Sequence, residues 1–273
     1  MPRLSEVSAD VATTLLLYGN SGTGKTWMIG TAGDRTLIIS PSNGIATLKS
    51  ALFKTQINAN PFIEEVNEEP IPTKALGYDL YSDIIDRYLK DHAGDIDTII
   101  VDDATAFRRT AMNKGLELNQ AANRSKTKSQ SKDVIIPTVQ DYGIEMNLVE
   151  QFCRYYTAEC KRLNKNFVLT AHERIVYQPP DKLGDLPVIH KIQPAFTGKT
   201  FPDDITGLFD LTWHTETKGS GDRIFYQIRT QPDSSVIAKT RWGGLFPVLI
   251  EKQIPLTLVF SSIRSQTPIP KGK

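Results

Sequence analysis

A chain of 273 residues with 40% hydrophobic and 23% charged side chains can bury one sizeable core, and one domain is the expectation. Its formal net charge of +1 excludes a global attraction to nucleic acid or an anionic surface, so any such case must rest on local clusters. No apolar run approaches ~18 residues, and Met1-Pro2-Arg3-Leu4-Ser5-Glu6 lacks a signal-peptide core, which predicts a soluble, cytoplasmic protein without membrane contact.

The first element is the apolar run Leu15 to Tyr18, a strand that leads directly into Gly19-Asn20-Ser21-Gly22-Thr23-Gly24-Lys25-Thr26. That stretch fits G-x-x-x-x-G-K-[ST], and a strand-to-helix turn is the setting in which such a loop binds phosphate. Its glycines let backbone N–H groups face a polyphosphate, and the positive end of the following helix adds to the attraction. Lys25 reads as an exposed loop cation reaching the β- and γ-phosphates, and the Thr26 hydroxyl as a Mg²⁺ ligand. Gly19, Asn20, Ser21, Gly22, Thr23, Gly24, Lys25, Thr26 and Trp27 thus form an expected site for ATP and Mg²⁺.

Thr36 to Ser40 predicts a second strand, ended by Pro41, and the acidic, Pro-rich segment 61–74 reads as an exposed connection. Tyr81, Ile84, Ile85, Tyr88 and Leu89 have helical spacing. The run Thr98-Ile99-Ile100-Val101 then reads as an interior parallel strand buried on both faces. Asp102 at its carboxyl end takes the second magnesium position, where open α/β sheets place their ligands. Asp103 either orients an attacking water or caps the next helix.

Two long stretches interrupt the alternation of strands and helices. Phe107 to Asp133 holds seven cations (Arg108, Arg109, Lys114, Arg124, Lys126, Lys128 and Lys132) against Glu117 and Asp133. Its polar centre, Asn123 to Lys132, is too poor in apolar residues to pack, so it is either a solvated insert or a phosphate-binding segment. Between the two stretches, Val149, Phe152, Tyr156, Cys160 and Leu163 predict a helix, and Asn166 to Thr170 another buried strand. Cys153 and Cys160 read as core or boundary residues, because two thiols alone cannot build a structural zinc site. The second stretch, Glu173 to Thr200, carries Arg174, Tyr177, Lys182, His190, Lys191 and Lys199 among four prolines, and long loops in compact domains are usually functional. Leu208 to His214, Arg223 to Arg229 and Ser235 to Lys239 predict a terminal β meander. The organisation is therefore an α/β domain over 1–250, with a mostly parallel sheet flanked by helices, mobile loops at 107–137 and 174–200, and a tail at 251–273.

The phosphate loop, the strand ending at Asp102, a strand ending Leu169-Thr170-Ala171-His172-Glu173, a long loop, and Lys239-Thr240-Arg241-Trp242-Gly243 occur in the order of the RecA-like core ATPases. Over roughly Thr13 to Pro247 the chain most resembles the compact phage recombination proteins of the Sak-four single-strand-annealing type. That resemblance implies a RecA-like P-loop NTPase core acting in DNA recombination and repair, in the bacterial host cytoplasm if phage-encoded. It implies single-stranded DNA bound by the two long loops through Arg108, Arg109, Arg124, Lys126, Lys128, Lys132, Arg174 and Lys199. His172 would sense the γ-phosphate, and Lys239 and Arg241 resemble a Lys-x-Arg-aromatic-Gly element that reaches a neighbouring subunit's phosphates. A homo-oligomer, ring or filament, follows, with slow ATP hydrolysis stimulated by assembly or DNA and a single-strand-binding protein as a possible partner. The implied catalytic set is Lys25, Asp102, Asp103, His172, Lys239 and Arg241. One departure stands out: Ser40-Pro41-Ser42-Asn43-Gly44 lacks the glutamate that such enzymes carry past the second strand, leaving Glu64, Glu65, Glu68 or Asp103 to position water. The other function class left open is a P-loop switch or loader that acts on a protein partner without binding DNA.

Overall fold

A computed structural model describes residues 12–41, 44–50, 54, 57, 59–67, 75–122, 137–179, 186–219 and 224–269. Six parallel strands form the centre: β1 (Thr14–Gly19), β2 (Thr36–Ser40), β3 (Phe62–Glu65), β4 (Thr98–Val101), β5 (Asn166–Ala171) and β8 (Leu211–Lys218). β9 (Phe225–Arg229), β10 (Lys239–Thr240) and β11 (Leu249–Ile250) extend that sheet antiparallel. The order is β11-β9-β8-β1-β5-β4-β2-β3, with β10 paired to β8. A separate antiparallel hairpin consists of β6 (Glu173–Gln178) and β7 (Val188–Pro194).

The apolar strands are continuous rather than alternating because both faces are covered. Leu16, Tyr18, Ile99, Val101, Phe167 and Leu169 face one core, which α3 (Leu76–Asp91), α4 (Ala104–Ala122) and α5 (Val139–Arg162) close with Tyr81, Ile85, Phe107, Phe152 and Tyr156. Leu15, Leu17, Ile100, Val168, Leu211 and Trp213 face the other, closed by α1 (Lys25–Gly30) and α7 (Leu256–Ser265). Two short helices, α2 (Ala46–Lys49) and α6 (Phe201–Leu208), also lie among the described residues. Cys153 and Cys160 are buried in α5, and burial pushes both thiols up to about 12, as inert core residues require.

Several sequence expectations need correction. Segment 61–74 is not merely an exposed connection, because Phe62–Glu65 is the parallel edge strand β3. The expected tail is a docked helix: Leu256, Val259 and Ile263 are fully buried, and the Leu256 N–H donates to the Thr31 hydroxyl at 2.8 Å. The first long loop begins instead as α4, whose Phe107 is a core residue, and the second is largely the β6–β7 hairpin. The basic centre of the first stretch, with Arg124, Lys126, Lys128 and Lys132, lies outside the described residues.

Candidate functional site

β1 delivers Gly19 to a position where a Cβ would lie 2.2 Å from the Thr215 carbonyl oxygen, so β8 can approach only a glycine there. Gly22 and Gly24 take φ of +77° and +84°, the left-handed region that turns the loop back into α1. The Thr23 hydroxyl donates to the Asn20 carbonyl and lies 2.8 Å from the Thr215 hydroxyl, which anchors the loop to β8. Lys25 is not an exposed cation. It is 7% exposed, and its Nζ donates to the Gly19 and Asn20 carbonyls, both at 2.8 Å. Burial lowers its pKa, opposed by Asp102, Asp103 and Glu173. A cation held there by neutral carbonyls would gain from polyphosphate oxygens.

Asp102 directly follows β4, which is not adjacent to β1: β5 lies between them and contributes Thr170. The Thr170 hydroxyl donates to Oδ1 of Asp102, and the Thr26 hydroxyl lies 3.3 Å from Oδ2. Burial pushes the Asp102 carboxyl up to about 6, Asp103 adds to that rise, and the Thr170 hydrogen bond and Lys25 oppose it. The pair of hard oxygens, with a buried charge that no described cation contacts directly, fits Mg²⁺, which usually keeps several waters and takes few protein ligands.

Asp103 follows into a cleft of about 650 Å³ that runs from Ser21 and Lys25 to Arg109 and His172. Its Oδ1 accepts the Ala106 N–H at 2.8 Å, so Asp103 caps α4, while Oδ2 is 3.1 Å from His172 Nε2 in the same cleft. His172 directly follows β5 and lines the same cleft as Ser21, Lys25 and Asp102. Arg109, an expected DNA contact, instead lines this cleft with Thr105 and Ala106, one face of α4 two turns after its cap. The spacing Asp102, Thr105, Ala106, Arg109 is helical, but the basic composition beyond Phe107 masks it as a loop.

Other expected residues are not brought to this cleft. Arg108 donates to Glu145 Oε1 at 2.6 Å, to the Ala195 carbonyl at 2.5 Å and to the Thr197 hydroxyl, so all three guanidinium nitrogens serve the fold and not a phosphate. Arg174 donates to the Gly198 carbonyl at 2.6 Å, and burial lowers its pKa, whereas Lys199 is exposed. Lys239 Nζ closes the end of α6 through the Thr206, Gly207 and Phe209 carbonyls. Arg241 pairs with Asp210 at 3.0 Å, and Asp210 accepts from Thr14, the first residue of β1. Both therefore lie at the opposite end of the strands from their own phosphate loop. Glu64 is paired with Arg87 and Glu65 with Lys49, each at 2.7 Å and outside the cleft, while Glu68 lies outside the described residues. Sequence reasoning also misses Thr170 and Glu173; Glu173 Oε2 lies 2.7 Å from Nε2 of the buried His214.

A protein-family profile described as "AAA domain" matches residues 12–242, which include the phosphate loop, Asp102 and His172. No curated protein sequence matches the chain significantly. Among the described residues no helix is long and apolar enough to cross a membrane. With a glycine loop and lysine on β1, a buried aspartate following β4, a mostly parallel sheet between two helical layers, and a match over most of its length, the chain belongs to the AAA-domain family of P-loop ATPases.

Proposed function

We propose that this ATPase is an ATP-dependent single-stranded-DNA-binding recombination protein of the Sak-four type, acting as a homo-oligomer with nucleotide at the subunit interface. The observation that carries this reading is where the cleft ends. Asp103 caps α4, which leads into the basic run 123–132, and His172 immediately precedes β6 of the hairpin that bears Tyr177. A ligand touching the Asp103–His172 pair therefore touches the roots of both segments, and γ-phosphate contacts can order such segments.

In this scheme Lys25 and the loop amides would hold the phosphates, and Thr26 and Asp102 would hold Mg²⁺, which would supply neutralisation of phosphate charge. The Asp103–His172 pair orients the attacking water at the γ-phosphate. Asp103 already accepts a capping hydrogen bond, and no glutamate lines the cleft among the described residues, which fits slow hydrolysis used as a switch. Tyr177, 53% exposed, is available to stack on a base.

The test is titration of single-stranded DNA with and without a slowly hydrolysed ATP analogue, with tighter binding expected in its presence. Neutralising Arg124, Lys126 and Lys128 should flatten the log–log salt slope by about 2, at about 0.7 per lost single-strand contact. An unchanged slope and affinity would return the segment to a solvated insert. The other reading, a switch acting on a protein partner, is favoured by exposed Ile175, Val188 and Ile189 on the hairpin. It predicts nucleotide binding with no DNA affinity in either arm.

A further inference from the structure

A second cleft, of about 310 Å³, lies against the same loop and shares Lys25 and Thr26 with the first. It is bounded by Gly22, Trp27, Thr47, Tyr226 and Gln253. We propose that it is the base subsite of the nucleotide, and that Tyr226 and Gln253 select adenine. The inference rests on the ATP reading of the first cleft and adds to it which side chains hold and select the base.

With the terminal phosphate at Asp103 and His172, the phosphates follow the loop past Lys25 and Thr26, and the nucleoside leaves on the far side of those two residues. The second cleft lies there, at the lower end of the ~300–1,000 Å³ range typical of small-molecule clefts. Two side chains arrive over Gly24 from distant parts of the chain. A Cβ on Gly24 would lie 1.8 Å from Gln253 Nε2 and 3.3 Å from Tyr226 Cδ1, so the absence of a side chain there leaves room for both. Gln253 belongs to the segment preceding α7, beyond the matched residues 12–242, so it is a feature of this chain and not of the profile.

The chemistry of the two groups is specific. Tyr226 is 37% exposed at the start of β9, an aromatic ring at the mouth of a polar loop, and a planar base would cover it. The Gln253 carboxamide offers one acceptor and a pair of donors. Adenine presents an N6 amino donor beside the N7 acceptor, which matches a carboxamide bidentately, whereas guanine presents two acceptors, O6 and N7, at the same edge. The Gln253 pair therefore favours adenine over guanine, and Tyr226 contributes stacking that is indifferent to which base it meets.

The test compares Mg²⁺-loaded ATP, GTP and inorganic triphosphate by calorimetry on the full chain, with thermal unfolding of each variant as a check of folding. Wild type should bind ATP more tightly than triphosphate and more tightly than GTP. Tyr226→Ala should weaken ATP and GTP by roughly 5- to 150-fold, the loss of one base–aromatic stack, with triphosphate affinity unchanged and with Tyr226→Phe restoring it. Gln253→Ala should collapse the ATP-to-GTP ratio toward one and leave triphosphate affinity alone. The subsite is overturned if wild type binds ATP no better than triphosphate. It is also overturned if Tyr226→Ala leaves ATP binding intact or reduces ATP and triphosphate binding equally. Failure of wild type to bind any of the three removes the nucleotide reading itself, and this inference with it.

Discussion

The two ends of the parallel sheet treat buried charge in opposite ways. At the amino-terminal ends of β1 and β5, the Asp210 side chain, 4% exposed, accepts from the Thr14 N–H and hydroxyl and pairs with Lys161 at 2.7 Å and Arg241 at 3.0 Å. Asn166 beside it accepts the Thr13 N–H at 3.0 Å and donates to the Thr98 hydroxyl at 3.1 Å. At the carboxyl ends, Asp102 is just as buried, yet its carboxylate contacts only the Thr170 and Thr26 hydroxyls among the described residues. A buried charge is costly unless paired, so the first end is complete in itself and the second is stable only at a cost that a cation would relieve. Structure and function sit at opposite ends of the same strands, and the unpaired end is the functional one.

The largest effect expected from breaking this contrast is at Lys25. Lys25→Ala should weaken ATP binding at least about a hundredfold by calorimetry, as loss of a charge-assisted phosphate contact in a buried setting implies. It should leave the fold intact at a cost of about 1–3 kcal/mol, because the buried Gly19 carbonyl loses its donor while the Asn20 carbonyl is only part-buried. Normal ATP affinity in the folded variant would remove the site.

Next come paired substitutions at the two aspartates. Asp210→Ala leaves Lys161 and Arg241 without their acid and should destabilise the protein by about 3 kcal/mol, the lower part of the range for a broken buried pair because both cations reach solvent. Asp102→Asn should do the reverse, stabilising the ligand-free protein at pH 7 by at most about 3 kcal/mol at 1.36 kcal/mol per pH unit, while abolishing Mg²⁺-dependent nucleotide binding. Denaturant unfolding measures both. Equal destabilisation by the two variants would break the comparison.

The pH dependence of that difference follows from the sign of the shift. The folded protein holds the Asp102 proton up to about pH 6, whereas the unfolded chain releases it near 3.8, so over that window the native state binds more protons. Stability from this group therefore falls as pH rises from about 4 to 6 and is level above. The stability advantage of Asp102→Asn over wild type should be near zero at pH 4, grow through pH 6 and then plateau. A difference independent of pH would mean that Asp102 is not desolvated. In wild type, Mg²⁺-dependent ATP binding should weaken below about pH 6, where the carboxylate is lost.

How much of this was legible in the sequence depended on whether the signal was local. The phosphate loop and the β4 run are contiguous patterns whose chemistry and position coincide, and both lie where the reading puts them. Asp103 had two open roles from sequence; its carboxylate caps α4 through one oxygen and faces His172 through the other. Arg109 was hidden because composition outweighed periodicity, and Arg108 because nothing local announces Glu145, 37 positions away in the chain. Residues 251–273 read as a tail because Leu256-Thr257-Leu258-Val259 follows prolines and a short polar stretch, yet Val259, Phe260 and Ile263 have the spacing of one buried helix face. Thr170 and Gln253 gain meaning only from strand order and from long-range packing over Gly24, which no linear pattern encodes.

The smallest effect on the fold is expected at Arg241, and it bears on whether the completed end of the sheet also serves a neighbour. Its side chain is 53% exposed and shares Asp210 with Lys161, so Arg241→Ala should cost no more than about 1 kcal/mol in unfolding. ATP binding should be nearly normal, since Arg241 lies at the far end of the strands from its own loop. If this exposed cation reaches the next subunit's phosphates, the same variant loses hydrolysis and nucleotide-dependent DNA binding, as loss of an arginine finger does. Lys239, spent on three carbonyls at the end of α6, is the weaker candidate for that reach, so Lys239→Ala should show mainly a stability loss. Mixing gives the sharpest version. An Arg241→Ala subunit keeps an intact loop and a Lys25→Ala subunit keeps an intact Arg241, so co-assembly should restore some composite sites and measurable ATPase. Unchanged specific activity of wild type as a dilute monomer would defeat the shared-site reading and leave Arg241 as one more partner of Asp210 at the closed end of the sheet.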